Sequence, residues 1–156
     1  MMKLDSSLKL FVERCLRTVG LGPIFRLVIK HDADLDTKGF ATTIVKPMAE
    51  ELEFVCQIVD LSILITEQEA AIQFHEIKAL LDLCGDEQRP LLIIQNTELL
   101  LESHLDVFHT QLRSILDWFD TTAVIFLSSD KENADKLFTD STMPFYSSAM
   151  IVELTD

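Results

Sequence analysis

The run Pro90-Leu91-Leu92-Ile93-Ile94-Gln95-Asn96-Thr97-Glu98-Leu99-Leu100 decides the fold. Four successive aliphatic residues follow a proline and stop at two side-chain amides, so a strand built from them has no polar face. Such a strand must be covered on both sides, as in a parallel sheet. Strands are also expected at Ile24–Ile29, Ile58–Ile65 and Ala123–Leu127, with a last one at Ala149–Leu154.

Helical spacing fills the intervals. Leu4, Leu8, Phe11, Val12, Cys15, Leu16 and Val19 form an amphipathic stripe that Gly20 and Gly22-Pro23 end. Ala49–Cys56 reads as helix behind Pro47, while Phe40–Val45 fits either the start of that helix or a short strand. Thr66 and Glu69 form a capping box, the stripe Ala70, Phe74, Ile77, Leu81, Cys84 follows, and Gly85 ends it. A long helix is expected from Glu98 to Phe119, its buried stripe being Leu101, Leu105, Phe108, Leu112, Ile115 and Phe119. Ser129 with Glu132 is expected to cap a short helix through Phe138. Alternating strands and helices predict one three-layer α/β domain with a mainly parallel five-stranded sheet and helices on both faces. Residues 1–21 would be an extra N-terminal helix and 22–156 the core.

Charge narrows the function. The chain has 156 residues, 13 basic against 26 acidic side chains and a formal net charge of −13. Arg14, Arg17, Arg26 and Lys30 are scattered; they leave room for a small basic patch at the N-terminal end, but not for the basic face that phosphate neutralisation requires, so direct nucleic-acid binding is not expected. The same repulsion disfavours anionic membrane surfaces, and no apolar run approaches the roughly 20 residues of a spanning helix. No signal-peptide core is present, because Lys9, Glu13 and Arg14 interrupt Leu8–Leu16. Cys15, Cys56 and Cys84 are odd in number and sit in apolar-periodic segments, which predicts buried free thiols and a cytoplasmic protein.

Ligands of parallel α/β sheets bind beyond the carboxyl ends of the strands. After the first strand the chain reads HDADLDTKGFATT (31–43), with one glycine, Asp32, Asp34 and Asp36, and Lys38 ahead of Gly39. Three carboxylates facing a polyphosphate would repel it. After the third apolar strand stand Gln95 and Asn96, neither of which serves as a general base or neutralises a divalent ion.

The surroundings nevertheless resemble the AAA+ ATPase family. AEELEFVCQIVDLSIL (49–64) is similar to the helix and second strand after that family's phosphate loop. EIKALLDLCGDEQRPLLIIQNTELL (76–100) resembles the approach to its Walker B strand, with Gln95-Asn96 in place of Asp-Glu. AVIFLSSD (123–130) resembles its sensor-1 strand, with Ser128 or Ser129 at the polar position, and MPFYSSAMIVELTD (143–156) resembles the entry to its fifth strand. The Gly-Lys-Thr of the phosphate loop, both Walker B acids and the helical lid are missing from the pattern. The resemblance, over roughly 22–156, implies a degenerate core that has lost ATP hydrolysis and works by docking on a partner or on itself. It places Lys38, Thr42, Thr43, Gln95, Asn96 and Ser129 around a vestigial nucleotide pocket, with no cofactor and no metal expected.

A second resemblance is to response-regulator receiver domains, through Asp32, Asp34 and FLSSDKENADKLF (126–138), with Ser128 as the state-reading residue. The phosphorylatable Asp would fall at Gln95 or Asn96 and the lysine at Glu153, so this alternative is a pseudo-receiver, or a Mg-dependent enzyme using loop 32–36. Asp32, Asp34 and Asp36 lack the glycine and glutamate of a calcium loop and read as a solvated acidic stretch. His75, His104 and His109 read as surface histidines, and Ser128-Ser129 as helix capping with no neighbouring base. Leu99, Leu100 and Trp118 lie off the main stripe and, with Val107, make a second apolar face. The expected interaction surface is Leu99, Leu100 and Trp118, rimmed by Asp32, Asp34 and Asp36.

Overall fold

The computed structural model describes residues 6–17, 26–31, 36–85, 87–119, 121–129, 131–140 and 150–153. The stop at 20–23, Asp32, Asp34 and the stretch around Pro144 lie outside the described residues. Helix α1 spans Ser6–Arg17 and strand β1 Arg26–Lys30. Helix α2 (Thr37–Gly39), a wide π-helical turn (Phe40–Val45) and α3 (Lys46–Glu51) then run on without a break. Phe40–Val45 is therefore helix. The wide turn lies just before Pro47, whose ring crowds the preceding turn and which has no N–H to give it.

Strand β2 is Phe54–Asp60, α4 is Glu67–Cys84, β3 is Arg89–Gln95, α5 is Asp106–Trp118, β4 is Ala123–Ser128, α6 is Lys131–Thr139 and β5 is Met150–Glu153. All pairings are parallel and the order is β2-β3-β4-β1-β5. The connection from β1 to β2 runs one way across the sheet; those leaving β2, β3 and β4 run the other. Right-handed crossovers then put α2 and α3 on one face and α4, α5 and α6 on the opposite one.

The core divides accordingly. Leu27, Ile29, Leu91, Ile93, Ile125 and Leu127 pack with Leu8, Val12, Leu16, Phe40 and Val45 on one side. Val28, Leu92, Ile94, Val124 and Phe126 pack with Ile77, Leu81, Phe108, Leu112 and Leu137 on the other. Alternate residues of each central strand thus feed different cores, which explains why Leu91–Ile94 carries no polar position. Among the described residues no helix is long and apolar enough to cross a membrane.

Three segment boundaries differ from expectation. Helix α3 ends at Glu51 and β2 starts at Phe54, so residues 54–56 are strand and not helix. The strand expected at Ile58–Ile65 stops at Asp60, where the carboxylate turns the chain into a 3-10 turn over Leu61–Ile63. Ile63 and Ile65 are consequently 61% and 73% exposed. The helix expected from Glu98 is two 3-10 turns, Thr97–Leu101 and Ser103–Leu105, split by Glu102 in extended conformation, and regular helix begins only at Asp106.

Candidate functional site

The C-terminal ends of the strands form the candidate site. The crossover directions reverse between β1 and β4, and such a reversal opens a crevice in an open sheet. At the end of β2, Asp60 Oδ1 accepts from Ser62 N at 2.9 Å, from Ser62 Oγ at 2.7 Å and from Asn96 Nδ2 at 2.7 Å. Asn96 holds φ 58, ψ 44, a left-handed conformation that asparagine tolerates better than most residues. It lies directly after buried Gln95, the register partner of Asp60. Burial acts to raise the Asp60 pKa, but the bonds from Ser62 and Asn96 and the charge of Lys38 outweigh it, leaving the carboxyl below the ordinary aspartate value.

Of the expected pocket residues, Asn96 bonds to Asp60 and Lys38 acts on it only through its charge. Thr42 and Thr43 do not share that role. Their hydroxyls donate back along the helix, to Lys38 O at 2.8 Å and Gly39 O at 2.5 Å. Asp36, exposed, caps α2 by accepting from Gly39 N at 2.9 Å. A Cβ on Gly39 would lie 2.3 Å from Asp36 Oδ2, so a larger residue here makes the exposed Asp36 carboxylate swing aside.

Ser129 lies two residues ahead of the first residue of α6. Its Oγ donates to Glu98 Oε1, and its N–H reaches the same oxygen at 3.3 Å. The expectation that no base neighbours this serine is thus corrected, although a carboxylate is a weak base for a hydroxyl. The contact ties the end of β4 to the turn after β3. Nearby, His31 N donates to Ser128 O at 2.9 Å, and Lys30 Nζ meets Asp135 Oδ1 of α6 at 2.8 Å.

A second concavity lies between α4 and α5, a groove of about 420 Å³ lined by Phe74, Lys78, Ser114, Ile115, Trp118 and Phe119 among others. Trp118 is 82% exposed and Val107 65%. Leu100, by contrast, is fully buried, and Leu99 is half-buried against the same core. The 3-10 turn rotates Leu100 under α5, so it is a core residue and no part of a surface. His109 is buried too, and desolvation pulls its pKa down to about 4 against the opposing effects of Asp106 and a hydrogen bond with the Leu100 backbone. His104 is half-buried, its Nε2 2.8 Å from Leu64 O. His75 is exposed. Cys84 is buried, whereas Cys15 and Cys56 are only half-buried. Among the described residues no group of three or more His, Cys, Asp and Glu could hold a metal ion.

Asp60 and Glu98 were not singled out from sequence. The apolar run Ile58–Ile65 puts Asp60 inside a strand; the spacing Asp60-x-Ser62 is the turn signal that marks the strand's end.

No family model matches the chain, and no curated protein matches it. Among solved structures it is similar to a chain of the E. coli MS115-1 HORMA:CdnC:Trip13 complex, with 11% identity and a TM-score of 0.62 over 96% of this chain and 62% of that one. It is similar to Aeropyrum pernix ORC1 in complex with DNA, with 11% identity and a TM-score of 0.66 over 99% and 45%. It is also similar to C. elegans PCH-2, with 12% identity and a TM-score of 0.59 over 96% and 43%. These neighbours are AAA+ ATPases, and the likeness gives the chain an AAA+-like fold. The chain spans between 43% and 62% of the length of these solved chains.

Proposed function

We propose that this chain is a non-catalytic AAA+-like domain that works by contact with another protein. The observation that carries the proposal is the pair of amides at the end of β3. Gln95 is buried, and Asn96 is committed to Asp60. Neither side chain takes a proton from water at neutral pH, and Asp60 already accepts three hydrogen bonds on one oxygen. Lys38 supplies a charge to this cluster, but Thr42 and Thr43 spend their hydroxyls within the helix.

Contact with protein is supported by Trp118, since a large exposed aromatic beside a groove is the kind of side chain that anchors interfaces. The neighbours' names record both a protein assembly and a DNA complex. A net charge of −13 favours the first mode for this chain. The three free thiols agree with a reducing compartment, the cytoplasm.

Thermal unfolding with ATP, ADP and Mg²⁺ in separate samples tests the proposal. A ligand at about 100 times its dissociation constant adds about 2.7 kcal/mol, several degrees in Tm. No shift is expected. A shift with nucleotide, accompanied by phosphate release, overturns the non-catalytic assignment. A Mg²⁺ shift abolished by Asp32→Ala with Asp34→Ala moves the function to the acidic loop.

A further inference from the structure

We propose that the outer edge of β2 is a docking edge on which an extended, cationic segment of a partner protein adds as a sixth strand. The proposal rests on the reading of this chain as a protein-contact domain, and it names the chemistry of one partner. Strand β2 stands at the rim of the sheet, and among the described residues β3 alone pairs with it. About half of its backbone N–H and C=O groups point away from β3, a row of donors and acceptors suited to another strand.

This edge lacks the devices that usually blunt one. Its seven residues, Phe54–Asp60, contain no Lys, no Arg and no Pro. They pair one to one with Arg89–Gln95, so no bulge turns the edge aside. The opposite rim, β5, spans four residues among those described. Val55, Cys56, Gln57 and Ile58 are half-buried, whereas β4 is buried at every position.

Charge selects the occupant. Between Lys46 and Lys78 the sequence has no Lys or Arg but seven acids. Around the edge itself Arg89 stacks on Phe54, and the charges of Lys46 and Lys38 act on Cys56 and Asp60, which leaves seven acids against three cations. Glu50, Glu51 and Glu53 are exposed at the start of the edge, and Glu67 and Glu69 are exposed beyond its end. Ile63 and Ile65, in the turn that directly follows β2, are exposed as well. A second copy of this chain would bring seven further acids against these, so self-pairing is opposed. A segment alternating Lys or Arg with aliphatic residues satisfies the ladder, the charges and the isoleucines together.

The test uses the full chain and a fluorescein-labelled peptide of alternating lysine and valine, nine residues long. A second peptide of identical charge is N-methylated through its five central residues, which removes donors on both of its edges. Fluorescence anisotropy should show binding that weakens as NaCl is raised, with the methylated peptide at least tenfold weaker. Hydrogen exchange should slow at amides within 54–60 when the unmethylated peptide is present. A Glu50→Lys, Glu67→Lys double variant, with folding checked by circular dichroism, should bind severalfold more weakly. Equal binding of the methylated peptide, protection confined to the α4–α5 groove, or no binding at all overturns the docking edge. So does a dimer by sedimentation in which 54–60 are protected without peptide, because a second copy then fills the edge. None of these outcomes touches the amide pair at β3, whose failure is read separately from nucleotide-dependent melting and phosphate release.

Discussion

The side-chain amide of Asn96 donates to Asp60 Oδ1 at 2.7 Å, closing the end of β3 onto the end of β2. Two physical demands meet at Asn96: it supplies this bond and it sits at positive φ. Replacement by Gly removes the bond alone, whereas replacement by Ala removes the bond and adds about 1 kcal/mol of backbone strain. A hydrogen bond to a charged acceptor contributes about 1.5–3 kcal/mol. Urea denaturation should therefore rank wild type above Asn96→Gly and Asn96→Gly above Asn96→Ala. Equal stability of the two variants would show that the left-handed turn carries no cost here.

Sequence spacing pairs Leu100 and Trp118 in one surface, and the fold separates them. Leu100 is fully buried in the core under α4, α5 and α6. Leu100→Ala should cost about 2–5 kcal/mol by chemical denaturation. Trp118→Ala should change stability by no more than about 0.5 kcal/mol. Trp118 is the single tryptophan of the chain, so native emission should lie close to that of free tryptophan and be quenched readily by acrylamide. A blue-shifted, protected emission would mean that the indole is covered in solution.

What was legible in the sequence followed the strength of the local signal. The central strands were legible because Leu91–Ile94 and Ala123–Leu127 bury both faces and leave no alternative period. Helix α4 was found to the residue, since Thr66 accepts from Glu69 N at 3.1 Å at one end and Gly85 holds φ 52 at the other. Strand β2 was shifted by four residues at its start. Its apolar run Leu61–Ile65 continues past Asp60, and only the side-chain bonds of Asp60 to Ser62 show where the strand stops. The broken start of the helix before α5 left no sequence mark, because Thr97–Leu105 keeps helical spacing in a 3-10 path. The site was half legible. Asn96 stands at an expected strand end, but its partner Asp60 lies inside the strand that the apolar run predicts.

His109 gives the protein a defined weakness toward acid. Burial holds its folded pKa near 4, below the unfolded value of about 6.5. Below about pH 6.5 the unfolded chain takes up a proton that the folded chain refuses, so stability falls as pH drops toward 4. The loss from this group reaches about 3 kcal/mol at most. Asp60 adds a loss at lower pH, because its carboxyl is held below the ordinary value in the folded state and must be protonated as the fold gives way. A His109→Phe or His109→Leu variant that folds should flatten the stability profile between pH 6.5 and 4, measured by urea midpoints. An unchanged slope would assign the acid sensitivity to the carboxylates alone.

Cys56 lies on β2, half-buried, and burial pushes its thiol pKa up to about 11, with the Glu50 charge adding to the rise and Lys46 opposing it. The thiolate is the reacting species, so at pH 7.5 only a minute fraction of Cys56 is competent. Burial raises Cys15 and Cys84 as well. Alkylation of the folded protein by iodoacetamide should therefore be much slower at all three than at a free cysteine, and unfolding in urea should release full reactivity. Mass spectrometry of the digested protein after timed labelling separates the three sites. Rapid labelling of Cys56 in the native state would require a thiolate that its surroundings disfavour, and would reveal that β2 opens on the time scale of the reaction.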